Sequence, residues 1–191
     1  PNSSTRLYRV PDGLLIKTIP VGDADPKLMA FTQDESKIAT SIYPNDAGVF
    51  SADDGSSLIR LSGHSDSVSS IIFAHTSDLL ATSSRDATIK FWNIENGEII
   101  RNINQGQGGI NCIAFSFNDQ LLVSGSEDGK IRLYDVNSGD LIRTLEGNGE
   151  SVQSVGFSPD NQFFAAGTWD GSVFVFGTAD GRLVYETIKH D

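Results

Sequence analysis

The sequence repeats itself with a period of 42 residues, and this period constrains the fold more than any other feature. One column of the repeat is phenylalanine, one is glycine after a turn-forming residue, one is aromatic and one is aspartate. The columns are Phe31, Phe73, Phe115 and Phe157; Gly13, Gly55, Gly97, Gly139 and Gly181; Tyr8, Phe50, Trp92, Tyr134 and Phe176; and Asp86, Asp128 and Asp170. No gap is needed to align them, so the chain is a tandem array of similar units.

Each unit predicts four short strands separated by tight turns. In the unit at residues 105–146, the first strand is apolar at nearly every position, and Asp128-Gly129 is typical of a hairpin turn. The strands of this unit are predicted at 110–116, 121–126, 130–136 and 141–145. No segment has a convincing helical period of about 3.6 residues. The expected fold class is all-β, built from four-stranded antiparallel sheets that shield one another's apolar faces.

The unit at residues 63–104 contains three short motifs: Gly63-His64, then Ser84-Arg85-Asp86, then Trp92-Asn93. In these motifs the unit resembles the WD-repeat family, whose pattern opens with Gly-His and closes with Trp-Asp. Asn93 therefore departs from the pattern, whereas Tyr134-Asp135 keeps the aspartate and replaces the tryptophan. The resemblance covers essentially the whole chain, and it implies a β-propeller whose blades are the four-stranded sheets.

The repeat divides residues 1–191 into four full blades and the outer half of another. The half blade is expected at 1–19, and the full blades at 20–62, 63–104, 105–146 and 147–189. Closed propellers of this family usually have seven blades and need roughly 300 residues at this period. We therefore expect a partial propeller that belongs to a seven-bladed ring, completed by further sequence of the same chain or by another chain. A small complete propeller is the least favoured alternative.

The resemblance also implies a hydrogen-bonded network inside one blade. Its members map to His64, Ser84, Asp86 and Trp92, with Thr82 as an alternative hydroxyl because residues 82 and 84 share a strand face. The other units depart from this set, so we predict that the blade at 63–104 is the most stable against unfolding. A histidine, a hydroxyl and an aspartate could also be read as a hydrolase triad, but their register matches the structural network.

In this family, partners bind mostly on the face that holds the turns between the second and third strands. The residues just before the turn aspartate are Tyr43, Arg85, Glu127 and Trp169, and we predict that they contact a partner. Trp169 is the strongest candidate, because tryptophan and arginine are favoured anchors at interfaces. The alternative is that Trp169 folds back onto its own blade or contacts a neighbouring one.

Composition narrows the class of partner. The formal net charge is −11, which argues against direct binding to nucleic acid or to an anionic membrane and permits a basic peptide. No apolar run reaches the roughly 18 residues that a membrane span requires. Cys112 is the single cysteine, so no internal disulfide is possible and a reducing compartment, cytoplasmic or nuclear, is expected.

No motif for catalysis or cofactor binding is present in the sequence. There is no phosphate-binding loop or dinucleotide fingerprint, and Cys112 and the scattered histidines show no metal-ligand spacing. We therefore expect no enzyme activity, no cofactor and no metal, and interpret the chain as a protein–protein interaction scaffold of a multiprotein complex. The alternatives are a regulatory or sensor propeller of a longer signalling or catalytic protein and, less favoured, an enzyme with a site at the central channel.

Overall fold

The computed structural model describes residues 3–10, 12–22, 28–42 and 45–187, which form only strands and turns. One position considered above, Tyr43, lies outside the described residues. The expected all-β fold of four-stranded antiparallel sheets is confirmed.

Eighteen strands occur in the described part of the chain, in five sheets. The half sheet contains β1 (Ser3–Tyr8) and β2 (Leu15–Gly22). Sheet I contains β3 (Met29–Phe31), β4 (Lys37–Ile42), β5 (Asp46–Ser51) and β6 (Ser57–Leu61). Sheet II contains β7 (Val68–Phe73), β8 (Leu79–Ser84), β9 (Thr88–Asn93) and β10 (Ile99–Asn104). Sheet III contains β11 (Ile110–Phe115), β12 (Leu121–Ser126), β13 (Lys130–Asp135) and β14 (Leu141–Glu146). Sheet IV contains β15 (Val152–Phe157), β16 (Phe163–Thr168), β17 (Val173–Gly177) and β18 (Leu183–Thr187).

Consecutive strands pair within each sheet, so every sheet is a simple antiparallel meander. The turns between second and third strands therefore lie at one end of the sheets, which we call the upper face. All other turns within a sheet lie at the opposite end, the lower face. Gly129 shows why glycine is needed at one upper turn: its φ is +77°, and an added Cβ would lie 2.6 Å from the carbonyl oxygen of Gly149.

The sheets pack side by side in chain order, with their first strands closest together. Strand β7 contacts both β3 and β11, and β11 in turn contacts β15. The core lies between the sheets: Phe91 of sheet II meets Phe115 of sheet III edge to face, with ring centroids 6.1 Å apart. Each sheet thus buries its apolar faces only because a neighbour covers them.

Sheet IV shows what happens where no neighbour is present. Ile131 in sheet III is fully buried beneath sheet IV, whereas Val173, one period later, is 38% exposed. Phe163 lies on the same uncovered face and is also exposed. The sheet therefore presents to solvent the face that its equivalents use for packing.

Polar contacts also join neighbouring sheets. On the lower face, Asp119 accepts hydrogen bonds from the backbone N–H groups of His75 and Thr76, at 2.8 and 2.7 Å, and from the Thr76 hydroxyl at 2.6 Å. On the outer side, the guanidinium of Arg101 donates to the carbonyl oxygens of Val136 (2.6 Å) and of the next residue. These contacts fasten sheet II to sheet III.

Candidate functional site

Three of the four predicted network residues, His64, Asp86 and Trp92, meet in sheet II, and Thr82 joins them on the side that faces sheet I. The indole Nε1–H of Trp92 donates to Thr82 Oγ1 at 2.8 Å, and Thr82 Oγ1 lies 2.7 Å from His64 Nε2. On the other side of the ring, His64 Nδ1 lies 3.0 Å from Asp86 Oδ2. The four side chains form one continuous chain of hydrogen bonds from the sheet interior to the upper turn.

Only one proton arrangement satisfies every group in this chain. Asp86 accepts, so His64 Nδ1 must carry a hydrogen, and Nε2 then accepts the proton of the Thr82 hydroxyl. Burial lowers the pKa of His64, although the Asp86 carboxylate opposes this effect. Burial raises the pKa of Asp86, but hydrogen bonds from Thr88, the Ser65 backbone and His64 outweigh it and lower the pKa. The imidazole is therefore neutral and the carboxylate ionised at pH 7.

Ser84 does not take the place expected for it in the network. Its hydroxyl donates to the carbonyl oxygen of Asp66 at 2.8 Å and accepts from the backbone N–H of Asp86 at 3.0 Å. The hydroxyl that links His64 to Trp92 is that of Thr82, because the indole reaches the middle of β8 and Ser84 lies at its upper end. The assignment of Ser84 to this position is therefore wrong, and Ser84 supports the turn instead.

The other sheets hold the turn aspartate in different ways. In sheet III, where Gly106 replaces the histidine, the guanidinium of Arg132 pairs with Asp128 at 2.6 Å. In sheet IV, Asn148 Nδ2 donates to Asp170 Oδ2 at 2.8 Å. The role of Arg132 was not predicted from the sequence, although Asp128 stands in the aspartate column of a unit whose histidine column holds Gly106, which has no side-chain donor.

Catalysis by these residues is incompatible with their burial. A hydrolase triad needs a hydroxyl that a substrate can reach, but Thr82 is 0% exposed and already accepts from Trp92. No group of three or more metal-binding side chains occurs within residues 3–10, 12–22, 28–42 and 45–187. Over the same part of the chain, no helix could span a membrane. Burial also raises the pKa of the Cys112 thiol to about 12, so the thiol is not a nucleophile at neutral pH.

The upper face carries three of the four predicted contact residues. Trp169 is 76% exposed, so it does not fold onto its own sheet or a described neighbour. Arg85 and Glu127 are both exposed. Arg85 Nε lies 3.9 Å from Glu127 Oε1, which is a long distance for an ion pair. Tyr43 lies outside the described residues.

A cavity of about 470 Å³ opens on the upper face between the first strands. Its lining includes Arg85 and the polar side chains Ser69, Asn111 and Gln153, which are spaced by one repeat. Asn111 Nδ2 and Gln153 Nε2 both donate to Ser151 Oγ, at 3.0 and 2.9 Å, and the Ser151 carbonyl accepts from the backbone of Trp169. Hydrogen bonds through Ser151 therefore connect the lining of the cavity to the backbone of Trp169.

Comparison with protein families gives three matches to one family, described as "WD domain, G-beta repeat", at residues 55–93, 97–135 and 139–176. Each matched segment begins with the fourth strand of one sheet and continues through the second strand of the next sheet into its third strand. Each repeat of the sequence therefore contributes strands to two neighbouring sheets. A comparison with curated proteins gave no match. Because the three segments cover more than half of the chain, the chain belongs to the WD-repeat family.

Proposed function

We propose that this chain is a non-catalytic scaffold that binds other proteins through its upper face within a multiprotein complex. WD repeats generally mediate protein–protein interaction, and this general role supports the proposal. In sheet II the buried hydrogen-bond network holds the upper turn at Asp86 in place. A rigid surface loses little conformational entropy on binding, which favours recognition.

The exposure of Trp169 is the observation that carries this proposal. A tryptophan side chain buries roughly 150–250 Å² when covered, and 76% of this one is open to solvent. At about 25 cal/mol per Å² of apolar area, covering this exposed part is worth about 3–5 kcal/mol. None of the described sheets covers that area, and this supports a binding role for the indole.

Charge defines the class of partner that fits this face. Asp66, Glu127 and Glu150 are exposed in the loops and turns of the upper face, and Arg85 lies 3.9 Å from Glu127. A basic peptide or protein segment complements these carboxylates, and a cationic side chain can also stack on the indole. The same charge disfavours nucleic acid and anionic membrane. We also propose a cytoplasmic or nuclear location, and the single cysteine supports this proposal.

We also propose that the ring is completed by further repeats of the same polypeptide or by another chain. The uncovered face of sheet IV supports this, because Phe163 and Val173 occupy positions that are packed in the preceding sheets. The mass of the native species in solution tests it. A stable monomer of 20.6 kDa that does not self-associate would contradict completion of the ring by a second copy.

Replacement of Trp169 by alanine tests the binding role. Wild-type chain, Trp169→Ala and the control Ile100→Ala, which alters an exposed apolar residue on β10, are immobilised and incubated with extract of the source cell. We expect proteins retained by the wild type and the control to be reduced at least tenfold with Trp169→Ala, as quantified by mass spectrometry. The three melting curves should coincide. A lower melting temperature for Trp169→Ala, with loss of binding in proportion, would show that the indole is structural.

A further inference from the structure

A second pocket lies on the lower face, on the opposite side from Trp169. It has a volume of about 280 Å³ and contacts the first strands of sheets II, III and IV. Three phenylalanines of one repeat column, Phe73, Phe115 and Phe157, contribute to its lining. The pocket is therefore chiefly apolar and is built by the same positions in three successive sheets.

The pocket exists because one repeat column contains small residues. Ile72 packs in the core between sheets II and III, whereas the equivalent Ala114 occupies the corresponding position between sheets III and IV. Gly156, one period later, contributes no side chain to the lining. The volume that isoleucine fills in one interface is thus left open in the next.

The lip of the pocket is held in place before any ligand binds. Phe117 is 44% exposed and stacks on the ring of His75, with centroids 4.8 Å apart and an interplanar angle of 24°. The backbone N–H of His75 donates to Asp119, and His75 Nδ1 lies 3.1 Å from the same carboxylate oxygen. An exposed aromatic ring at a fixed lip favours contact with a partner side chain.

The turns around the pocket are acidic. In the segments 32–37, 74–79, 116–121 and 158–163, which are all described, the exposed carboxylates are Asp34, Glu35, Asp78 and Asp160, and Lys37 is the only lysine or arginine. Hydrogen bonds from Thr32 and Ser36 lower the pKa of Asp34 to about 2. Those from Ser158 and Gln162 lower the pKa of Asp160. An apolar pocket is thus surrounded by negative charge at neutral pH.

We propose that this lower-face pocket receives one bulky apolar side chain of a partner segment that carries basic residues beside it. The volume falls just below the roughly 300–1,000 Å³ of pockets that enclose a drug-sized ligand, so a single side chain fits better than a free metabolite. The surrounding carboxylates favour a cationic segment over a neutral or acidic one. This site is separate from the upper face and does not depend on Trp169.

Synthetic peptides titrated into the isotope-labelled chain and followed by NMR test the proposal. The probe is acetyl-Gly-Lys-Leu-Lys-Gly-amide, and the controls replace leucine by serine or both lysines by glutamate. We expect the leucine peptide to shift the amide resonances of Ala114 and Phe117 with a millimolar dissociation constant. Each control peptide should bind at least tenfold more weakly.

Two variants locate the binding site. Ala114→Ile copies the residue found at the equivalent position 72 and fills the pocket, and Phe117→Ser removes the lip. Each should weaken binding at least tenfold, with the folded spectrum retained, while Trp169→Ala should leave it unchanged. The proposal is overturned if no peptide shifts these resonances, if the serine or glutamate peptide binds as tightly, or if Ala114→Ile binds like the wild type.

Discussion

Thr82→Val tests the hydrogen-bond network directly, because valine keeps the shape of threonine and removes only the hydroxyl. In the folded chain that hydroxyl accepts from Trp92 Nε1 and donates to His64 Nε2. Valine leaves both groups buried without a partner. The matched control is Ser84→Ala, which removes a hydroxyl from the same face of the same strand.

The two substitutions should lower the free energy of unfolding by different amounts. A buried polar group without a partner costs about 1–3 kcal/mol, and two groups lose theirs, so Thr82→Val should destabilise sheet II by about 2–6 kcal/mol. Ser84 bonds to backbone groups of Asp66 and Asp86 at the upper end of the strand. Asp66 is exposed, so water can replace part of this bonding, and Ser84→Ala should cost about 1 kcal/mol.

Tryptophan fluorescence in a Trp169→Phe background measures this difference. The chain has two tryptophans, so Trp92 then reports alone on the unfolding of sheet II. This matters because neighbouring units of a repeat protein need not unfold together. At about 2–4 °C per kcal/mol for a chain of this size, Thr82→Val should lower the midpoint by about 4–24 °C. Equal midpoints for the two variants, or a larger loss with Ser84→Ala, would refute the assignment of Thr82 as the link.

Two further predictions concern protonation and contact between sheets. Burial lowers the pKa of folded His64 below its usual 6.5, so the unfolded chain takes up the proton first as the pH falls. The free energy of unfolding should therefore decline from pH 7 to 5, by at most about 1.4 kcal/mol per unit, and His64→Asn should flatten that slope in denaturant titrations. Asp119→Asn keeps the turn but cannot accept every bond from Thr76. It should cost about 1–2 kcal/mol by thermal denaturation, and an unchanged midpoint would show that this contact does not fasten the sheets.

Much of the fold could be predicted from the period of the repeat. The predicted strand at 121–126 is β12, and the other three predicted strands of sheet III each differ by one residue at one end. Pattern defines strands well because side chains alternate in a half-buried sheet and turns require particular residues. The half sheet differs more from the prediction, because β2 extends to Gly22, beyond the expected boundary after residue 19.

The candidate site was predicted only in part. His64, Asp86 and Trp92 were placed together by resemblance, but alternation alone puts residues 82 and 84 on one face and cannot choose between their hydroxyls. The choice depends on how far the indole of Trp92 reaches along β8, which is a distance in three dimensions. The exposure of Trp169 likewise depends on what the neighbouring sheets leave uncovered.

The sequence by itself determined that the chain forms repeated four-stranded sheets, because a short period of turn residues and apolar strands leaves no other way to bury so many apolar faces. The tertiary structure alone decided which groups meet between sheets. Asp119 reaches His75 across 44 positions of the chain, and Ala114 leaves a pocket only because of what packs beside it. Periodicity reports each residue's place within a sheet, whereas contacts between sheets depend on the size and reach of side chains that are distant in sequence.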